Sequence, residues 1–192
     1  MDGGYGFDSL SLRRVARAAG VVPTAFYRHF DSMDELGLAL VEESAATLRS
    51  MLRDAREGGA RPQRLIARSV EILVAHVREH RRHFAFMAHA RASGNAVLRH
   101  AIRSETKLFA SELATDLARL PILRDWTTDD LQMLAGLFVD TMIATIDAML
   151  EAANPGTGAA ALSPDVEARI VTRAEKQLRL IALAIPHWRS TG

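Results

Sequence analysis

Between Ser9 and Phe30 the chain carries four arginines, Arg13, Arg14, Arg17 and Arg28, and no Asp or Glu. Acidic residues resume at Asp31. A stretch of this kind is either a solvated basic face or a surface for a polyanion. The polar residues beside the arginines favour the second reading. Thr24 can donate to or accept from a base edge or a phosphate, and Ala25 can touch a thymine methyl. Arg28 suits a guanine or a phosphate, and Tyr27 and His29 suit phosphate oxygens. The net charge of all 192 residues is only +1, so the signal is local.

Groups of this type read DNA only when a short helix carries them into the major groove, which admits one α-helix. The spacing predicts such a pair of helices. Ser11–Ala19 forms the first, with Leu12, Val15 and Ala16 on one face. Gly20 supplies the tight turn, because it tolerates a left-handed backbone. Val21 is expected to plug the angle between the helices. Pro23–His29 forms the second, with Pro23 at a first-turn position where its missing N–H costs nothing. Phe26 and Phe30 are four apart and are expected to pack inward. That leaves Thr24, Ala25, Tyr27, Arg28 and His29 toward the other side. The whole unit, residues 11–29, reads as a helix-turn-helix.

Other chemistry has less support. His76, His80 and His83 sit at helical spacings, and zinc or nickel accepts imidazoles. No Cys or carboxylate completes that set, and Arg78, Arg81 and Arg82 would repel a cation, so no metal or other cofactor is expected. There is no Gly-x-Ser-x-Gly elbow, His-Glu-x-x-His pair or phosphate-cradling Gly loop, so the chain is not expected to be an enzyme. The absence of cysteine excludes a disulfide framework. Met1 to Phe7 lacks the pattern of a secretory signal, and no uninterrupted apolar run of about 18 residues appears, so neither export nor a membrane span is expected. A cytoplasmic location follows as an expectation.

The remainder reads as all-α. Ser32 with Glu35 makes a capping box for a helix of about Met33 to Ala55. Gly58-Gly59 with Pro62, then Gly94, then Pro121 mark further joints. Residues 154–164 read as a hairpin loop. Leu131, Leu134, Leu137, Phe138, Met142, Ile146 and Met149 run along a helix at 131–152, with apolar surface broad enough to be buried on more than one side. Val166, Ile170, Ala174, Leu178, Ile181 and Ile185 form a stripe over 165–187. The two helices are either intrachain core or half of a four-helix interface in a homodimer. The expected division is a DNA-binding domain at 1–46 and a ligand-binding and dimerisation domain at 47–192.

The segment SLRRVARAAGVVPTAFYRHFDSMDEL, Ser11 to Leu36, resembles the TetR family of bacterial regulators. The matching pieces are Ser11, Val15-Ala16, Ala19-Gly20-Val21 and the cluster Phe26-Tyr27-Arg28-His29-Phe30. The resemblance implies phosphate contacts for Ser11, Tyr27 and His29, and groove-facing roles for Thr24, Ala25 and Arg28. The Pro-Thr-x-Phe-Tyr-Arg-His-Phe run and Asp34-Glu35-Leu36-Gly37-Leu38 look like the FabR/DesT branch, repressors of unsaturated fatty-acid synthesis. Weaker similarity runs through Phe84 and Arg91 to Gln177-Leu178-Arg179 and Trp188.

That likeness implies a homodimer on palindromic double-stranded operator DNA, with a long-chain acyl-CoA as effector. Expected liners of the acyl site are Phe84, Phe86, Met87 and Leu108. Phe109, Leu137, Phe138 and Met142 complete the set. Arg91 and Arg99 either meet the phosphate end of the thioester or are ordinary exposed helix arginines. Two departures stand out. By the resemblance, this sequence is expected to begin at the loop after the family's first helix, as a start site placed too far downstream would produce. Phe7, Leu10, Leu12 and Phe30 are then expected to lose apolar cover. Met33 also stands where many members carry Lys. The alternative function is a truncated protein that dimerises and binds ligand without binding DNA.

Overall fold

The computed structural model describes residues 10–57, 64–153 and 162–190, with only the backbone described for 51–57. Among the described residues the secondary structure is helical. It runs α1 (Leu12–Ala18), α2 (Pro23–Phe26), α3 (Met33–Glu57), α4 (Leu65–Glu79), α5 (Arg81–Ala92), α6 (Ala96–Leu117), α7 (Thr128–Ala152) and α8 (Pro164–Ala184). Short 3-10 turns cover Pro121–Leu123 and Ile185–His187. The expected joints at Gly58-Gly59 and Pro62, and most of the loop at 154–164, lie outside the described residues, as does Phe7.

The chain groups into two compact units. One comprises Met1–Leu48 with Arg82–Glu105, the other Arg49–Arg81 with Thr106–Gly192. In the first unit, Val41 of α3, Ala90 of α5 and Leu98 and Ile102 of α6 are buried together. Phe86, Met87 and Ala101 pack half-buried against them. Asp34, Val41 and Thr47 of α3 meet Asn95, Ala90 and His83 in turn, so α5 runs antiparallel to α3.

In the second unit α7 and α8 form an antiparallel hairpin with α4 against it. Leu131, Leu134 and Ala135 near the start of α7 meet Ile181 and Ile185 at the end of α8. Ala114 of α6 and Leu123 of the 3-10 turn close this core. The helix ends follow capping chemistry. The Thr127 hydroxyl accepts the Asp130 N–H at 3.2 Å, and the Ser163 hydroxyl accepts the Val166 N–H at 3.3 Å.

α7 is long and apolar enough to cross a membrane by length and composition alone. The core helix of a water-facing bundle meets the same test. Here Leu134, Ala135, Val139, Ile146 and Met149 are buried within the unit. The expectation that α7 is covered on several sides is met only in part, because Met133 and Leu137 stay exposed.

Candidate nucleic-acid interface

The reading unit begins at Ser11, the N-cap of α1, whose side chain makes no capping hydrogen bond and is exposed. α1 ends in a closed turn. The Gly20 N–H donates to the Arg17 carbonyl at 3.1 Å, and the Val21 N–H reaches back to the Ala16 carbonyl at 2.9 Å. This pair of bonds is the Schellman arrangement, which needs a left-handed residue between them. Gly20 has φ of +69°. A Cβ there would meet nothing within 4 Å, so the demand for glycine is conformational and not steric.

Val21 is 44% exposed and does not plug the helix angle as expected. Its backbone N–H is what the turn uses, and the packing role falls to Ala16 and Phe26, the buried side chains of α1 and α2. Val22 is extended, as a residue before proline prefers, and Pro23 opens α2.

The second helix is shorter than the expected Pro23–His29. Its α-helical part is Pro23–Phe26. Tyr27 to His29 continue as tighter turns, in which the Arg28 N–H bonds the Ala25 carbonyl and the His29 N–H bonds the Phe26 carbonyl. The i to i+3 bonds wind the chain more tightly while keeping the same general direction. Phe26 is 6% exposed, and Phe30, half-buried, lies 5.6 Å away between ring centroids. Tyr27 stands edge-on to Phe26 at 5.8 Å and is 58% exposed. That contact braces the phenol ring while leaving it open to a partner.

Thr24, Tyr27, Arg28 and His29 are all exposed, and Ala25 is half-buried. Arg13, Arg14 and Arg17 are exposed on α1 nearby in the chain. The described part of this unit therefore presents cations and neutral hydrogen-bonding groups without a carboxylate until Asp31. Leu10, Leu12, Val15 and Phe30 are each half-buried.

The unit is anchored to α3 by a capping box. The Ser32 hydroxyl accepts the Glu35 N–H at 3.1 Å, and the Glu35 carboxylate accepts the Asp31 N–H. The returning bond lands one residue earlier than in the usual box. A polar link that the sequence does not announce lies beyond it. The Asn95 amide donates to Asp34 Oδ1 at 2.6 Å. Asn95 three residues before the Leu98 N–H is a readable N-cap signal, but nothing in the sequence pairs it with Asp34.

The expected acyl-site residues fall in both units. In the first, Phe84 is buried, Phe86 and Met87 are half-buried, and Arg91 is exposed. Arg99 donates to the Ser93 carbonyl at 2.6 Å, tying a turn. In the second, Phe109 is buried and Phe138 packs half-buried on the Leu131–Leu134 core. Met142 lines a narrow crevice with Val70, Leu73, Thr145 and Leu178. Leu108 and Leu137 are 48% and 46% exposed, which is contrary to lining an interior site.

His76 Nδ1 is 3.0 Å from the Ile72 carbonyl of its own helix, and His83 Nδ1 is 3.3 Å from the Thr47 hydroxyl. Among the described residues no three His, Cys, Asp or Glu side chains are grouped to hold a metal.

Residues 3–40 match the family model described as bacterial regulatory proteins, tetR family. The match covers α1, the turn at Gly20, α2 and the first turns of α3. The chain thus carries a TetR-type helix-turn-helix at its N-terminal end, followed by a larger set of helices. The matched family is one of regulators and not of enzymes.

Proposed function

We propose that this chain is a transcriptional repressor that binds a palindromic operator as a homodimer, each copy setting the turn at Pro23–His29 into one major groove. The observation that carries the reading is the exposed, acid-free face of Thr24, Tyr27, Arg28 and His29 on a glycine-closed turn. In this reading Ser11, Tyr27 and His29 hold phosphates, and Thr24, Ala25 and Arg28 meet base edges.

The α7–α8 hairpin supports a second copy as partner. Leu180 and Leu183 are 69% and 67% exposed on α8, with Met133 and Leu137 exposed on α7. Apolar side chains left open on two neighbouring helices suit a four-helix interface. Arg169, Arg173 and Lys176 on α8 and Asp140 and Glu151 on α7 are exposed, so two copies offer each other opposite charge.

The effector in this proposal is a long-chain acyl-CoA, and the regulated genes serve fatty-acid metabolism. This finer reading rests on the likeness to the FabR/DesT branch. Whatever the ligand, it acts only by binding one state of the dimer better than another.

Fluorescence anisotropy on the native upstream promoter, across a salt series, tests the core reading. Wild-type protein is expected to bind, with affinity falling steeply as salt rises. Tyr27→Phe or His29→Ala should weaken binding to promoter and unrelated DNA alike, because a hydrogen bond to a phosphate carries no sequence information, while a neutral contact leaves the salt slope nearly as it was. Thr24→Ala should instead change sequence preference. Unchanged affinity removes Tyr27 and His29 from the phosphate contacts. A stable dimer that shifts no promoter fragment leaves a dimerising, ligand-binding protein as the function. Native mass spectrometry of protein from its own host reports the dimer and any retained acyl ligand together.

A further inference from the structure

We infer that the α5–α6 turn is a working part of the reading unit, and that Asn95 is a positioning residue which holds the reading head through Asp34. The inference rests on the DNA-reading role of Pro23–His29, although its first test does not require DNA.

Asn95 uses both ends of its amide. Its oxygen accepts the Leu98 N–H at 3.1 Å and so caps α6. Its nitrogen donates to Asp34 Oδ1 at 2.6 Å, across 61 residues of sequence. An ionised acceptor makes this a charge-assisted bond, and the N-terminal end of α3 favours the carboxylate placed there. The turn that carries Asn95 is itself fastened. The Ser93 hydroxyl donates to the Ala90 carbonyl at 2.9 Å and accepts the Asn95 N–H at 3.2 Å. Arg99 binds the Ser93 carbonyl from the other side at 2.6 Å. The amide is therefore presented by a rigid turn.

Asp34 lies in the first turn of α3, directly after the reading turn. Short-range hydrogen bonds link the two sides of the junction. The Phe30 N–H bonds the Phe26 carbonyl, the Asp31 N–H bonds the Glu35 carboxylate, and the Leu36 N–H bonds the Ser32 carbonyl. In this inference a shift of Asp34 moves the start of α3, and with it the Ser32 and Glu35 groups that join α3 to the reading turn. Farther along α3 a second polar contact faces α5, where His83 Nδ1 is 3.3 Å from the Thr47 hydroxyl and Nε2 is 3.8 Å from Glu43. Between the two contacts lie buried Val41, Ala90 and Leu98. The first half of α3 is thus tied at both ends and filled in the middle. α5 and the start of α6 brace the reading head along that length.

Asn95→Asp separates the two jobs of the amide. It keeps an acceptor for the α6 cap, removes the donor and sets a second carboxylate against Asp34. Asp34→Asn in the same chain restores a donor and acceptor in the reverse order. Millisecond hydrogen exchange on the free full-length protein is the first test. Asn95→Asp should raise exchange at residues 12–30 by roughly fivefold, the scale of one net hydrogen bond. Exchange in α7 and α8 should not move. The double variant should return residues 12–30 toward wild type, a rescue that mere loss of the α6 cap would not give. Unchanged exchange at 12–30, or no rescue, overturns the inference.

Promoter binding is the second test. Affinity should fall severalfold in Asn95→Asp and recover in the double variant. Altered exchange with unaltered affinity overturns the positioning role. If the wild-type protein binds no promoter fragment, the repressor reading fails, while the exchange result still decides whether Asn95 orders the head.

Discussion

The reading head and the α7–α8 hairpin are both pairs of consecutive helices, yet different forces hold them. Between residues 10 and 30 the buried side chains are Ala16 and Phe26. The head's form comes from its backbone: a left-handed glycine, a proline at the first turn and a run of short-range hydrogen bonds. The hairpin instead buries Leu131, Leu134, Val139, Ile146 and Met149 on one helix and Ala174 and Leu178 on the other. Burial scales with apolar area removed from water, so the hairpin can supply stability that the head cannot. A surface proposed to meet DNA keeps its side chains outside. Its order then depends on local turn chemistry and on neighbours such as α3 and α5.

The sharpest way to break this comparison is to truncate one core residue in each region. Phe26→Ala should cost the head about 3–5 kcal/mol, and Leu134→Ala should cost the hairpin about 2–5 kcal/mol. The expected result is a split. Leu134→Ala lowers the main thermal transition, whereas Phe26→Ala removes protection at residues 12–30 and leaves that transition nearly in place. If both variants lower one common transition equally, the head is not a separately ordered region.

Gly20→Ala tests the backbone side of the contrast at intermediate size. A left-handed residue with a Cβ costs roughly 1–2 kcal/mol, and no clash adds to it here. Exchange at residues 12–30 should rise while α7 and α8 remain as they were. Equal effects in both regions would show that the head's order does not depend on its turn.

The smallest effect lies at the end of the hairpin. The Ser190 hydroxyl donates to the Asp130 carboxylate and accepts the Thr127 N–H at 2.7 Å, while Trp188 lies 6.5 Å from Trp126 between ring centroids. The Ser190 bond holds the Asp130 carboxyl below its ordinary range. Bonds from Trp188 and Thr127 act the same way, and partial desolvation opposes them. A carboxyl whose folded value lies below its unfolded value adds stability above the unfolded value. That contribution is lost as pH falls through the folded one. Tryptophan fluorescence should therefore report release of the 188–190 segment only as pH falls below about 4. Ser190→Ala should move that change to higher pH. A fluorescence profile identical in the variant removes Ser190 as the cause.

Much of the head was legible in the sequence because its signals are short-range. Gly20, Pro23 and the Ser32–Glu35 pair each act within a few residues, and each takes the role its chemistry suggests. The legible part ends where a partner is distant. Val21 reads as a plug because it is apolar, yet its N–H closes the turn and its side chain faces out. Tyr27 to His29 read as helix, but the winding tightens after Phe26. In the second unit, Leu137 belongs to an apolar stripe by spacing and remains exposed, while Leu134 and Ala135 beside it are buried. Periodicity marks an apolar face without saying which part a neighbour covers.

Local chemistry was therefore enough for the all-α class, the starts of α2 and α3 and the identity of the turn that carries Thr24, Tyr27, Arg28 and His29. Backbone conformation and capping depend on residues only a few places apart, so their cause is written along the chain. Folding alone brought residues 82–105 to the head and matched Asn95 with Asp34. A bond across 61 residues has no local signature, because either partner satisfies its own neighbourhood without the other. The motif could thus be read directly, while the parts that hold it in place came from packing.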